Sequence, residues 1–411
     1  MLRILNYTDA QDLITRKTVR LAEAEAVVAP ILEAVRTRGD AALAEYTRKF
    51  DHDGPIAVTR DECDAAREAL SPEFLSAVET ATHNIRAYAA SQLPSDRTIE
   101  YPDGRRLGQI VRPLDSMGAY IPAGRYPLPS TLLMTAVPAH VAGVARICVA
   151  CPKPSPEILG ICSILDLKHV YRMGGAQSIA ALAYGTETIP RVERIVGPGN
   201  IYVAAAKKLI AGEVGIDFIA GPTEIVIIAT DADPSHLAAD MLAQAEHDVD
   251  ASAVLLTTSR TLAQAVAEEV ERQLKTLSTA AVATEAIRNN SAIVIVASMD
   301  QAVEFSNQLA PEHLSIHDSS LLPRIRNAGS VFVGPWSPEA AGDYASGPNH
   351  VLPTSGAARL RGGLSAVDFV KVISVQELSR EGLRSLVPAI TTLARAEGLE
   401  AHARSVEVRN A

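Results

Sequence analysis

The sequence predicts an α/β protein: two Rossmann-like α/β/α domains with mostly parallel sheets, plus small helical extensions at the N- and C-termini. Two observations predict it. From about residue 107, short apolar runs alternate with helix-length segments for about 200 residues, the signature of βαβ units. With 411 residues there is also length for two or three domains, and the alternation divides into one sheet over about 113–223 and another that resumes near 224.

The first hundred residues read as helical. In AEAEAVVAPILEAVRTRGD, Val27, Val28, Ile31, Leu32 and Val35 fall on one stripe, which stops at Gly39. Ser71-Pro72-Glu73 supplies an N-cap, a proline at the first helical position and an early acid, opening a helix towards residue 92. Strand candidates are GQIVR (108–112), RICVAC (146–151), HVYRM (169–173), RIV (194–196), IDFI (216–219) and EIVIIA (224–229). Further ones are AVLLT (253–257), AIVIVA (292–297), HLSIH (313–317) and SVFVG (330–334). From about 366 the chain reads as a helical tail. The expected division is an extension over 1–14, a discontinuous α/β domain of 15–112 and 224–365, an inserted α/β domain of 113–223, and a tail over 366–411.

Composition excludes several classes. A formal charge of −10 with no Lys/Arg cluster argues against a nucleic-acid surface. The longest apolar runs fall far short of the ~20 residues that cross a bilayer. MLRILNYTDAQDL has no basic head, apolar stretch or cleavage site of a signal peptide, so a cytoplasmic location is expected. Cys148 and Cys151 form a CxxC inside a strand, where residues three apart face opposite ways, and no second CxxC follows. With Cys63 and Cys162 they read as structural thiols.

Four stretches could carry chemistry. AGDYASGPNHVLPT (341–354) holds Asp343 and His350 between Gly342, Gly347, Pro348 and Pro353, which predicts a shaped loop. In DADPSHLAADMLAQAEHDVD, Asp233 caps a helix, Pro234 opens it, and Gln244 and His247 share a face near its end. That pair could hold a metal, but taken alone the stretch favours a polar helix end whose His complements the dipole. QLAPEHLSIHD puts Glu312 and His313 at a strand entry, a position fit for acid/base work if it faces a cleft. RAEGLEAHARS holds Glu397 and His402 near the C-terminus. No GxGxxG or P-loop is present; GGAQ (174–177) and GPGN (197–200) are glycine-rich turns able to meet an anion or simply to turn tightly.

Together the pieces resemble the histidinol dehydrogenase family. MGAYIPAG, GGAQSIAALAYGT, VGPGNIYVAAAKK, AGPTEIVIIAT, QAEHD, PEHL, GDYASGPNHVLPT and EGLEAH stand in the family's order at close to its spacings. The resemblance implies Zn2+, one per subunit, held by Gln244, His247, Asp343 and His402. It implies Glu312 and His313 as the acid/base pair, and substrate contacts from Thr223, Gln244, His247, His313, Asp343, His350, Glu397 and His402. Tyr120, Gln177 and Asn200 are its implied NAD contacts. The implied reaction is the oxidation of L-histidinol through L-histidinal to L-histidine by two NAD+, the last step of histidine biosynthesis. His313 would take the alcohol proton and Glu312 would activate water on the aldehyde. The implied assembly is a homodimer with shared sites.

Against the family's pattern, Ala123 and Arg125 stand in YIPAGRYPLPS, and CPKPSPEILGICSILDLKHV is shortened and rewritten. Two other functions fit part of the pattern. One is a dehydrogenase of another small polar alcohol with the same zinc centre. The other is a zinc hydrolase, which leaves the GGAQ and GPGN units without a purpose.

Overall fold

The computed structural model describes residues 2–14, 21–124 and 126–409. Among these residues the strands form three sheets. A parallel six-stranded sheet runs in the order Arg3–Asn6, Ala292–Ile295, Ser252–Thr257, Glu224–Ile228, His313–Ile316, Ser330–Val333. A parallel five-stranded sheet runs His169–Tyr171, Arg146–Ala150, Ser116–Tyr120, Arg194–Val196, Gly215–Ile216. The third is antiparallel: Val370–Leu378, Arg105–Pro113, Arg97–Glu100.

The central strands are apolar along their length because helices cover both faces. In Glu224–Ile228, Ile225 and Ile227 enter one core with Leu237 and Met241. Val226 and Ile228 enter the opposite core with Phe305 and Leu314. The helix Pro234–Ala245 begins as its sequence indicates, with the Asp233 carboxylate accepting from Ser235 N–H at 2.8 Å and Pro234 in the first turn. It returns antiparallel to the strands, so its last turn brings Gln244 back to the N-terminal edge of the sheet.

Several expectations need correction. The helices Leu21–Arg38, Arg60–Glu68 and Pro72–Gln92 do not join the 224–365 unit. Val28, Ile31, Leu32 and Val35 pack with Ile179, Ala180 and Val203, and Val78, Ala81 and Ile85 pack with Leu132 and Val137, all helices of the five-stranded sheet. An amphipathic stripe shows that a face is buried, and is silent on what buries it. The 1–14 segment is not a purely helical extension, because Arg3–Asn6 is an edge strand of the six-stranded sheet. The 366–411 tail is not wholly helical: Val370–Leu378 pairs antiparallel with Arg105–Pro113, which takes GQIVR out of the parallel series. IDFI contributes only Ile216, the second residue of the two-residue strand Gly215–Ile216. Ser116–Tyr120 is a further strand, without the β-branched run that marks the others; a Cβ at Gly118 would lie 3.0 Å from Leu182. All four cysteines are buried free thiols. No helix of the described residues is long and apolar enough to cross a membrane.

One buried ion pair braces the side of the five-stranded sheet that faces the site. Lys207 and Asp217 pair with side chains 2% and 0% exposed. Lys207 also donates to Gly197 O at 3.0 Å, and Asp217 accepts from Gly197 N–H at 2.7 Å. The pair therefore grips the first residue of the GPGN turn from both its N–H and its carbonyl. Asp217→Asn should strand the Lys207 charge and cost about 3–5 kcal/mol in urea unfolding at neutral pH. A loss under ~1 kcal/mol would mean that the charge finds solvent.

Candidate functional site between the two parallel sheets

A cavity of about 330 Å³ opens between the parallel sheets and is lined by Thr223, His247, Glu312, His313, Asp343 and His350. Its floor is the N-terminal edge of the six-stranded sheet. Thr223 precedes Glu224–Ile228, and His313 opens the neighbouring strand in register with Ile225. Pro122, Pro198 and Gly199 form the facing wall from loops that leave the C-terminal ends of Ser116–Tyr120 and Arg194–Val196. Ligands of open α/β sheets sit at the carboxyl ends of strands. Here the five-stranded sheet follows that rule and the six-stranded sheet breaks it.

Asp343 does not sit in a loop. It lies in the last turn of a short helix, Glu339–Tyr344, whose N-cap is Pro338. Gly342 is inside that helix because of packing: a Cβ there would stand 2.7 Å from the Phe332 ring. His350 does lie in irregular chain. Its Nδ1 is 2.7 Å from Asp343 O, and its Nε2 is 3.3 Å from Thr131 Oγ1, a hydroxyl from the facing wall.

The polar groups converge on His313. Its Nδ1 is 3.5 Å from Glu339 Oε1 and 3.7 Å from Glu312 Oε2, and its Nε2 is 3.7 Å from Asp343 Oδ1. At 3.7 Å the last contact is too long for a hydrogen bond, and Nε2 is buried without a partner. Burial opposes a charge on His313, but Glu339, Glu312 and Asp343 outweigh it and push its pKa up to about 10. Burial raises Glu339 to about 8 against the pull of His313. Burial also raises Glu312, although it accepts from the Thr223 hydroxyl at 2.5 Å and from Glu224 N–H at 3.0 Å. Asp343 is held low: burial works against it, and the facing His313 prevails. Burial lowers His247 and His350, favouring neutral imidazoles.

Glu339 was missed from the sequence. Its signal was present, since Ser337-Pro338-Glu339 repeats the Ser71-Pro72-Glu73 pattern that opens an earlier helix. Gln244, fully buried, stands between Thr223 Oγ1 and Glu339 Oε1, each at 2.7 Å. With no cation beside it, ionised Glu339 draws the amide nitrogen and the amide oxygen takes the Thr223 side, so the one Thr223 hydroxyl proton goes either to that oxygen or to Glu312. His247, Glu339 and Asp343 bring ligand atoms within 4.8 Å of one another. Neutral imidazole and carboxylates form a donor set that suits a divalent ion of borderline softness, and the Gln244 oxygen joins it when the amide turns so that its nitrogen donates to Thr223 Oγ1 at 2.7 Å. An excess of carboxylates over cations in one cavity also suits such an ion. The residues present fit a metal.

A second cavity, of about 490 Å³, adjoins the first at Pro122 and gathers Tyr120, Gln177 and Asn200. The glycine turns beside it are already satisfied from within. Gly174 N–H donates to Asp51 at 2.9 Å, Gly175 N–H to the Tyr120 hydroxyl at 3.3 Å, and Asn200 caps Tyr202 and Val203. Asp51 was also missed from the sequence. Glu397 and His402 are not brought to either cavity; both are exposed, on the tail around the helix Glu400–Glu407. Arg125 lies outside the described residues.

The family model for histidinol dehydrogenase matches residues 14–410. The chain belongs to this family. The histidinol dehydrogenase of Rhizobium meliloti (strain 1021) is 47% identical over 424 residues, covering 98% of each chain. That of Geobacillus kaustophilus (strain HTA426) is 48% identical over 399 residues, covering 94% of each. The crystal structure of histidinol dehydrogenase from Elizabethkingia anophelis superposes with a TM-score of 0.94 at 38% identity, covering 99% of this chain and 98% of that one.

Thr223 is the hinge of the polar network, since it contacts both Glu312 and Gln244. Thr223→Val should therefore destabilise the fold by about 1–3 kcal/mol, while Thr223→Ser should keep most of that stability. Chemical unfolding of both variants checks it.

Proposed function

We propose that the chain oxidises L-histidinol through L-histidinal to L-histidine with two NAD+, using one zinc ion per subunit. The observation that carries the reading is the convergence of Thr223, His247, Glu312, His313, Asp343 and His350 in one cavity that shares Pro122 with the cavity of Tyr120, Gln177 and Asn200.

Gln244, His247 and Asp343 would hold the metal, with Glu339 within reach of it. When bound, zinc supplies Lewis acidity at the substrate oxygen and positive charge against the carboxylates. His313 presents its unpartnered Nε2 to the cavity and takes the hydroxyl proton of histidinol as the carbinol hydride passes to NAD+. Glu339 faces the opposite nitrogen and fixes the ring. The aldehyde must then gain water. Glu312, anchored by Thr223 and Glu224, removes a proton from that water as its oxygen adds to the carbonyl carbon. Hydride loss from the hydrate to a second NAD+ leaves the carboxylate of histidine. His350, tethered to Asp343 and Thr131, and the Thr223 hydroxyl orient the substrate.

Glu397 and His402 enter this reading from a partner subunit. Support comes from the antiparallel sheet that leads into the tail, where Ile99, Val372, Ile373, Val375 and Leu378 are exposed apolar side chains, as are Leu393 and Leu399 beyond it. Exposed apolar side chains on both faces of one sheet suit burial against a partner. The proposed partner is a second copy of the chain, with each tail completing the other's cavity.

Three outcomes test the reading. The enzyme should release two NADH per histidinol consumed; no NADH with histidinol, and turnover of another amino alcohol, would overturn the assignment. Glu312→Gln should slow oxidation of supplied histidinal by roughly 10²–10⁴-fold, and oxidation of histidinol to the aldehyde far less. Equal slowing of both half-reactions would remove Glu312 from the water step. Finally, inactive His247→Ala and inactive His402→Ala should be mixed and allowed to exchange subunits. With tails in trans, half the dimers are mixed and each has one intact site, so about a quarter of wild-type activity returns. With tails in cis, nothing returns.

A further inference from the structure

We infer that Asp51 makes the second cavity accept NAD+ and reject NADP+; the inference rests on that cavity being the dinucleotide site of the proposed function. Asp51 follows the helix Asp40–Phe50, an element of the N-terminal helical segment rather than of the five-stranded sheet. It nevertheless lines the cavity with Gly175, Gln177 and Asn200. Its Oδ2 accepts from Gly174 N–H at 2.9 Å and from Gln177 Nε2 at 3.0 Å. Its Oδ1 has no hydrogen-bond partner among the described residues.

This placement does two things. The first helix turn after the strand His169–Tyr171 is where a glycine-rich fold normally seats a phosphate on open N–H groups. Here a protein carboxylate already occupies the leading N–H, and the Tyr120 hydroxyl takes the next. The corresponding turn at Gly197 is closed in the same manner by Asp217. The leading N–H of each turn is therefore already taken by a protein carboxylate and is not open to an additional phosphate. Asp51 is the one carboxylate among the described lining residues of the cavity, and none of them is Lys, Arg or His. Lys153 and His52 act on Asp51 through space but do not line the cavity.

The remaining walls are Val27, Val28, Ile31, Phe50, Pro122 and Tyr202, suited to a flat heterocycle and its sugar. A carboxylate in such a site accepts a hydrogen bond from a ribose hydroxyl, and it repels a phosphate ester on that hydroxyl. Gln177, held by Asp51, keeps its amide in the cavity. Asp51 is thus a specificity-determining residue contributed by the N-terminal helices, which gives their packing on the five-stranded sheet a functional consequence.

The test uses 5′-AMP and 2′,5′-ADP, which differ only in the 2′-phosphate, titrated calorimetrically into the zinc-loaded dimer. Wild-type protein should bind 5′-AMP at least tenfold more tightly. Asp51→Asn keeps an acceptor for Gly174 N–H and removes the charge. It should narrow the gap at least tenfold, chiefly by tightening 2′,5′-ADP, with 5′-AMP changed less than threefold. The ratio of kcat/KM for NADP+ to that for NAD+ should rise in step, and Asp51→Glu should restore discrimination. An unchanged gap in Asp51→Asn, or equal weakening of both nucleotides, overturns the inference while leaving the proposed function standing. Wild-type protein that neither turns over NAD+ nor binds 5′-AMP overturns the reading beneath it, and the inference with it.

Discussion

The structure depends on a charge problem at one imidazole. Glu312, Glu339 and Asp343 all lie within 3.7 Å of His313, in a cavity where their side chains are at most 14% exposed. Buried carboxylates repel one another and lack water, so protons or cations must accompany them. Without a metal, His313 holds its proton tightly and is a poor base. A divalent cation held by His247 and Asp343, as proposed, would relieve the same excess and free the imidazole. In the proposed function the acid/base group and the metal would therefore form one electrostatic unit.

That unit explains the architecture around it. The six-stranded sheet delivers Thr223 and the Glu312-His313 pair from adjacent strand starts, and the helix Pro234–Ala245 returns Gln244 to the same edge. The five-stranded sheet offers the carboxyl ends of its strands, where loops are free to shape the cavity of Tyr120, Gln177 and Asn200. Opposing an N-terminal edge with a C-terminal edge would, in the proposed function, put acid/base groups on one side and the redox partner on the other. Thr131 and His350 bridge the two halves at 3.3 Å. The Lys207–Asp217 pair stiffens the GPGN turn where the halves meet.

Much of this was legible in the residues. Binary alternation and cap chemistry located nearly every parallel strand, and the eight motifs pointed to the family and to Gln244, His247, Glu312, His313, Asp343 and His350. What was not legible depends on tertiary contacts. Gly342 looked like a helix breaker, whereas the closeness of Phe332 requires it within a helix. The stripe Val28–Ile31–Val35 could not say which sheet would cover it. Val370–Leu378 carries a β-branched pattern but is exposed along most of its length, so no core periodicity announced it. Glu339 and Asp51 belong to neither a Gly-rich turn nor a paired motif, and only the fold brings them to His313 and Gly174.

The central claim is that the carboxylate cluster around His313 is built for a divalent cation. It is tested most directly by removing metal with a chelator, confirming the loss by elemental analysis, and following NADH from histidinol before and after zinc is returned. The account requires turnover to vanish with the metal and to return as zinc approaches one ion per subunit. Full turnover by protein shown to be metal-free would contradict it.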